Sequence, residues 1–467
     1  MPTFEYVSRY PHPRSEVFAW HTRPGAFVRL TPPGMATLVE GVDDLSVGTE
    51  VVLRVSHPIV AGLLPDVGRK RKGPVGFPWR VRHTELVPGE RFVDEQVSGP
   101  FQRWIHEHHF AEGPGNATIV TDRVHWELRT LPARIANPLV EMQLSGLFGF
   151  RERQLRADLA LHARLGATPR TVVVAGASGL VGTQLCALLT SGGHTVRRLV
   201  RGAATGPDAV AWDPAEGVLP GDALAGADAV VNLSGHSIGG RFTRKHKEQV
   251  LTSRLGATST LARALAADPD GKHLVQASAI GYYGARRHNE LLTEESPAGD
   301  GFLADVVRQW EDAAGPATDA GVRTAFLRTG IALSEGGGAL LPQVPLFSIG
   351  LGGRLTDADA WFSWIGLDDL ARAYVHTIVT PSLTGPVNAV APRPVTQQEF
   401  ADTLGRMLHR PSWLPTPAVG PTAVLGAEGY DQLVNTDQRV SSGKLSESGF
   451  RFAHPNLGDA LRHLLMR

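Results

Sequence analysis

The segment Thr171-Val172-Val173-Val174-Ala175 runs without a break into Gly176-Ala177-Ser178-Gly179-Leu180-Val181-Gly182. A continuous β-branched run this short predicts a strand buried on both faces, as in a parallel sheet. The glycines predict a tight turn into a helix, expected over Thr183–Ser191 and ended by Gly192-Gly193. Gly176 permits the turn, Gly179 lets the backbone approach a pyrophosphate, and Gly182 lets the helix pack closely on the strand. The helix start offers unpaired N–H groups and a partial positive charge to phosphates. The spacing is GxxGxxG rather than GxGxxG, yet between a strand and a helix it predicts a bound dinucleotide. Gly176, Ser178, Gly179, Leu180, Val181 and Gly182 are the expected contacts.

The next strand, expected over His194–Val200, decides which dinucleotide. An NAD site usually carries an acid near the end of this strand to hold the ribose 2′-OH. Here the stretch is Val196-Arg197-Arg198-Leu199-Val200-Arg201-Gly202, with three arginines and no acid. A guanidinium can hold a 2′-phosphate through two N–H bonds, so NADP(H) is the expected cofactor. Arg201, just past the strand, is the first choice for that contact and Arg198 the second. Cys186, beside Leu185 and Leu188, reads as a small core residue.

Residues 1–165 read differently. A strand at Phe4–Arg9 precedes a short helix at Glu16–His21, with Ser15 as the expected N-cap. Strands are expected at Glu50–Val55, Trp79–Leu86, Arg91–Gln96, Gln102–Phe110 and Ala117–Leu128. In the last two, Trp104, His106, His108 and Phe110 share one face, as do Val120, Asp122, Val124, Trp126 and Leu128. This is an antiparallel meander. An amphipathic segment at about 138–165, with Leu144, Leu147, Phe148, Leu155 and Leu159 at helical spacing, follows it.

One long helix across a curved antiparallel sheet, together with the string Gly99-Pro100-Phe101…Trp104…His106…His108…Phe110, resembles the START-like helix-grip superfamily (SRPBCC, polyketide cyclase-like). The resemblance covers residues 1–165 and implies a site for a hydrophobic ligand. His106 and His108 also invite a metal, with Asp122 on the next strand as third ligand. Two alternating histidines are a weak motif, and hydrogen-bonded imidazoles on a sheet face are the plainer expectation. No metal is assigned.

Charge and cysteine content narrow the partners. Lys+Arg and Asp+Glu are both 46, so the chain has no global field for nucleic acid or an anionic membrane. The single cysteine excludes an intramolecular disulfide and a thiolate zinc site. No stretch approaches a membrane span, and the start Met-Pro-Thr-Phe-Glu-Tyr lacks the features of a signal peptide. The expected location is the cytoplasm, with no stable membrane insertion.

The second half carries further ordered strings: Ala229-Val230-Val231-Asn232-Leu233-Ser234-Gly235, Ser253-Arg254, Ala277-Ser278-Ala279-Ile280-Gly281-Tyr282-Tyr283-Gly284, Trp310-Glu311, Gly336-Gly337-Gly338, Asn388-Ala389-Val390-Ala391-Pro392 and Gly449-Phe450-Arg451-Phe452. As a set they resemble an atypical or extended short-chain dehydrogenase/reductase. The narrower likeness is to the nucleoside-diphosphate-sugar epimerase-related subfamily with a DUF1731 C-terminal segment. The resemblance implies that Asn232, Leu233, Ser234 and Gly235 pass near the cofactor riboses. It also implies that the strand end from Ala277 faces the nicotinamide.

Ordinary members of that superfamily move the proton with a Tyr, assisted by a Lys four residues later. The six lysines stand at 70, 72, 245, 247, 272 and 444, and none has Tyr four residues before it. Anchoring on Glu311 places Leu303 and Val307 where the pair would stand. Ser278 and Tyr282 are the candidate replacements. The alternative for this strand end is a core Tyr283 and a Ser278 bonded to backbone or ribose. Asp368-Asp369 read either as paired carboxylates or as an N-terminal cap for the helix that follows.

The expected architecture is an α+β helix-grip domain (1–165), a Rossmann-type doubly wound α/β domain (170–384) and a small C-terminal lobe (385–467) with a capped helix near 394–410. The expected function is an NADP(H)-dependent oxidoreductase or epimerase acting on a small substrate, with a hydrophobic ligand in the front domain. A non-catalytic NADP(H)-binding regulator or sensor is the rival reading, and some relatives carry a cell-division label.

Overall fold

The computed structural model describes residues 1–40, 45–56, 77–128, 133–166 and 168–467. Lys70, Lys72 and the positions four before them, and Ala167 of the segment joining the two halves, lie outside the described residues.

The first half is a seven-stranded antiparallel sheet. Its strands are β1 (Thr3–Tyr10), β2 (Ala36–Glu40), β3 (Glu50–Val55), β4 (Phe77–Val87), β5 (Arg91–Ser98), β6 (Arg103–Gly113) and β7 (Ala117–Glu127), in the spatial order β1-β7-β6-β5-β4-β3-β2. β2 has no counterpart in the sequence reading. The alternation along β6 and β7 holds: His106, His108 and Phe110 are buried, as are Val120, Asp122, Val124 and Trp126. A helix over Ala133–Leu165 packs against this face. Phe148 stacks on Tyr6 and packs at a tilt against Phe4, and the Tyr6 hydroxyl donates to Glu152 at 2.7 Å. The short helix spans Arg14–Thr22 with Pro13 at the N-cap. Ser15 therefore lies inside the helix and caps nothing, because Pro13 already fixes the backbone bend that starts it.

The second half is built on a parallel sheet. β8 (Thr171–Ala175), β9 (Thr195–Arg201), β10 (Ala209–Trp212), β11 (Ala229–Asn232) and β12 (His273–Ala279) pair in the order β10-β9-β8-β11-β12. The strand Arg323–Thr329 and then Gly385–Ala389 complete the far edge. The sheet therefore runs past residue 384, where the sequence placed the start of a separate lobe. Period-two alternation fills both faces. Val172 and Val174 pack with Leu185, Leu188, Tyr374 and Ile378 on one side. Val173 packs with Leu199, Leu261 and Leu265 on the other. Cys186 packs against the first layer, and burial pushes its thiol up to about 12.

The last residues clamp the end of β12. Asp437–Val440 pairs with the strand Arg286–Leu292, and the buried Gln438 amide donates to the carbonyls of Ile280 and Gly284. The capped helix is present at Gln397–Met407. Thr396 and Glu399 exchange side-chain-to-backbone bonds there in a capping box. Among the described residues no helix is long and apolar enough to cross a membrane.

Candidate functional site

The strand order reverses between β8 and β11, which pair in parallel side by side: β9 and β10 extend the sheet one way, β12 the other. In such sheets ligands bind outside the carboxyl ends of the strands at this switch point. The glycine turn sits there. Gly176 has φ +80°, and a Cβ on it would fall 2.7 Å from the Leu233 carbonyl carbon at the end of β11. A Cβ on Gly182 would fall 2.2 Å from the Gly176 carbonyl oxygen. The turn therefore tolerates no side chain at either position. The helix spans Leu180–Ser191 and starts at Gly179 with no side-chain cap. Its first N–H groups face outward beside the exposed Ser178 and Gly179. These features fit the pyrophosphate of a dinucleotide.

At the end of β9 the two candidate arginines differ. Arg198 is held by Asp208 through two bonds of 2.6 and 2.8 Å. Arg201 is exposed and makes no ion pair or hydrogen bond among the described residues. The sequence reading missed Asp208, which lies beyond the strand in the approach to β10.

The Asn232 side chain is not available to a ligand. Its amide donates to Thr258 and Gln276 at 3.1 and 3.0 Å, and its carbonyl oxygen accepts from the Ser234 N–H. Asn232 thus shapes the Leu233-Ser234-Gly235 loop from beneath. Arg254 lies under the same loop. It donates to the carbonyls of His236 and Val250 and stacks on Trp310. No carboxylate among the described residues pairs with it, and burial lowers its pKa to about 10.

At the end of β12, Ser278 donates to Glu311 at 2.5 Å. Arg328 grips the same carboxylate at 2.9 and 2.8 Å. Arg328 also donates to the Tyr283 hydroxyl and lies 3.5 Å over the Tyr282 ring. The Tyr283 hydroxyl donates to Asn388 at 2.7 Å, and burial raises its pKa. Tyr283 is thus packed core, as the alternative reading expected, whereas Ser278 bonds the Glu311 carboxylate rather than the backbone. Tyr282 is half-buried, and its hydroxyl makes no hydrogen bond among the described residues. Leu303 and Val307 face this turn: a Cβ on Gly281 would lie 3.7 Å from Leu303 and 3.9 Å from Val307. Two apolar side chains therefore occupy the helix face beside it. Glu311 and Arg328 supply its charge, and sequence spacing gave no sign that Arg328 joins it.

Asp368 and Asp369 lie elsewhere. They sit in the first turn of the helix Leu367–Val379, which Gly366 starts without a side-chain cap. Asp368 accepts from Arg29 and Gln154, and Asp369 from Arg372 and the N–H groups of Ala453 and His454. Neither N-terminal capping nor an acid–base pair describes them. Asp368 ties this helix to the helices of the first half, and Asp369 ties it to residues 453–454.

Three families match the chain. The NAD dependent epimerase/dehydratase family covers residues 172–301, and two domains of unknown function, DUF1731 and DUF8410, cover 416–464 and 74–159. An epimerase family protein of Mycobacterium bovis is 40% identical over 297 residues, 63% of this chain and 98% of that protein. The crystal structure of a nucleoside-diphosphate sugar epimerase from Corynebacterium glutamicum matches 100% of this chain and 90% of that one, at TM-score 0.80 and 35% identity. The human epimerase family protein SDR39U1, crystallised with NADPH, matches 63% of this chain and 98% of its own, at TM-score 0.58 and 33% identity.

Proposed function

Because the chain belongs to the epimerase family, we propose that it binds NADP(H) at the end of β8 and acts on a small substrate held at the end of β12. The observation that carries this reading is the pairing of a side-chain-free glycine turn with an Arg201 that has no partner among the described residues. Gly176, Ser178, Gly179, Leu180, Val181 and Gly182 cradle the pyrophosphate with backbone N–H groups, and Arg201 takes the 2′-phosphate. The Leu233-Ser234-Gly235 loop and Ala277 border the riboses and nicotinamide. NADP(H), when bound, supplies or accepts hydride. Ser278 orients the substrate oxygen, its own proton being committed to Glu311. Tyr282 offers the free hydroxyl that exchanges the substrate proton. The substrate class is an alcohol or carbonyl compound, and the reaction is oxidoreduction or epimerisation.

A second reading has one observation behind it. Leu303 and Val307 stand beside the turn where a Tyr/Lys pair would stand, which suits a protein that binds NADP(H) without turning it over. The front unit, residues 1–165, is in our reading a START-like helix grip for a hydrophobic ligand. An antiparallel sheet closed by one long helix supports this.

Tryptophan-quenching titrations with NADPH and NADH, followed by NADPH turnover against a carbonyl panel, test both readings. NADPH preference with turnover supports the enzyme, and tight binding with no turnover supports the sensor. Equal affinity for NADH removes the role of Arg201.

A further inference from the structure

We propose that the front sheet holds one divalent transition-metal ion, ligated by Asp94, His106 and His108 and positioned by Asp122. The register builds the cluster. Asp94 of β5 lies opposite His106 of β6, and Asp122 of β7 lies opposite His108. Directly opposed residues of antiparallel strands share a face, and His106 and His108 are two apart on β6. All four side chains therefore point into the same space beneath the long helix. Asp94, His106 and His108 each bring one ligand atom, all within 4.8 Å of one another.

Local geometry favours an ion over a set of hydrogen bonds. His83 Nδ1 lies 2.5 Å from Asp94 Oδ1, and His108 Nδ1 lies 2.7 Å from Asp122 Oδ1. Among the described residues, none of His83 Nδ1, Asp94 Oδ1 and His108 Nδ1 makes a hydrogen bond of good geometry, close as these ion pairs are. These atoms crowd together off the N–H···O axis, where contact gains little without a cation among them. One true bond is present, between His106 Nε2 and Asp122 Oδ1 at 3.1 Å. Asp122 thus meets one nitrogen of each imidazole and leaves the other nitrogen of each for the ion. That is the arrangement by which a carboxylate orients metal-bound histidines. His108 Nε2 already lies 3.5 Å from Asp94 Oδ2.

The donor set selects the ion. Two imidazoles and a carboxylate suit Zn²⁺, Fe²⁺, Co²⁺ or Ni²⁺, whereas Mg²⁺ and Ca²⁺ take oxygen ligands alone. Burial matters too: His106 and His108 are each 6% exposed and Asp122 is 8% exposed. The buried Asp122 and half-buried Asp94 carboxylates need compensating charge, and Arg151 is the arginine that faces them. Three protein ligands leave coordination positions open. Phe92, stacked on His108, and Phe148, edge-on to His106, wall the site. An oxygen donor of a small ligand would complete the coordination there.

The test uses the full chain after chelator treatment, titrated with Co²⁺ and read by its visible d–d absorption, then with Zn²⁺ in competition. The expected result is one equivalent of Co²⁺ displaced by Zn²⁺, and a higher thermal midpoint when metal is present. Asp94→Asn and His108→Gln should abolish the spectrum, and Asp122→Asn should weaken binding by about 10- to 100-fold. His109→Ala should change nothing, because that ring bonds Glu107 instead. Far-UV circular dichroism and thermal melting verify that each variant is folded. A wild-type chain that binds no stoichiometric Co²⁺ overturns the proposal. So does Co²⁺ binding that survives unchanged in folded Asp94→Asn and His108→Gln.

Discussion

The Arg29 guanidinium and the Asp368 carboxylate meet at 2.8 Å with essentially no solvent exposure, 339 residues apart in the chain. Arg29 follows the first helix beneath the antiparallel sheet, and Asp368 opens a helix that covers the parallel sheet. Asp158 of the long helix binds both Arg29 and Arg372. His463, near the C-terminus, lies 3.2 Å from the other Asp368 oxygen. Four distant segments thus share one buried ionic cluster.

Removing one partner strands the rest. Asp368→Asn leaves Arg29 buried beside a neutral amide and should destabilise the chain by about 3–5 kcal/mol. Urea unfolding followed by tryptophan fluorescence measures this, and a loss under about 1 kcal/mol would contradict the buried pair.

Acid should weaken the fold in two stages. Burial holds His162 and His376 near a pKa of about 4 and His454 near about 2, below their ordinary value. The unfolded chain binds these protons first, so stability present above about pH 6.5 is lost as pH falls below it. Each site adds up to about 1.4 kcal/mol per pH unit. Burial also opposes ionisation of Asp368, but Arg29, His463 and Arg372 outweigh it and hold the carboxyl well below its ordinary range. Its contribution is present above about pH 4 and disappears only in stronger acid. A urea midpoint that stays flat between about pH 7 and pH 5 would refute the first stage.

The glycine turn gives a prediction separate from charge. Gly182→Ala sets a methyl 2.2 Å from the Gly176 carbonyl oxygen, and Gly176→Ala sets one against the Leu233 backbone at a positive φ. Each should abolish NADPH quenching, since the backbone must move to admit the Cβ. Gly179→Ala, whose nearest contact is 3.3 Å, should keep the fold and weaken NADPH binding.

Arg201→Ala should cost roughly 10- to 100-fold in NADPH affinity, the worth of a charged hydrogen-bonded contact, and leave NADH unchanged. Arg198→Ala should cost less, because Asp208 already holds that guanidinium. Isothermal titration with both nucleotides separates the two.

Tyr282→Phe should lower kcat by about 10²- to 10⁴-fold with NADPH affinity unchanged, if its hydroxyl carries the proton. Ser278→Ala should raise KM and lower kcat while Glu311 stays bound to Arg328. Single-turnover assays on any carbonyl compound that the panel identifies read both.

Much of the second half was legible because its signals are local. The strand, the glycines and the helix are consecutive, and steric limits on φ make a glycine turn readable from a handful of residues. The missing Tyr/Lys pair was equally readable, since its two members stand four apart. Asn232 shows where this stops. Its place at the strand end was right, but its amide is spent on Thr258 and Gln276, which come from a helix and a neighbouring strand. The Asp368-Asp369 pair failed for the same reason: adjacent acids read as a cap or a dyad until their partners at 29, 154 and 453–454 are known.

The amino-acid order by itself determined the alternation of the antiparallel strands, the buried parallel strand with its glycine turn, and the arginines after it. These follow from backbone sterics and side-chain periodicity acting over a few residues. Only the tertiary structure decided which arginine is unpaired among the described residues, that Ser278 bonds Glu311 beneath Arg328, and that Asp94 groups with His106 and His108. Those pairings cross strands and helices far apart in sequence. Strand register and helix packing bring them within hydrogen-bond reach, and no local pattern encodes either.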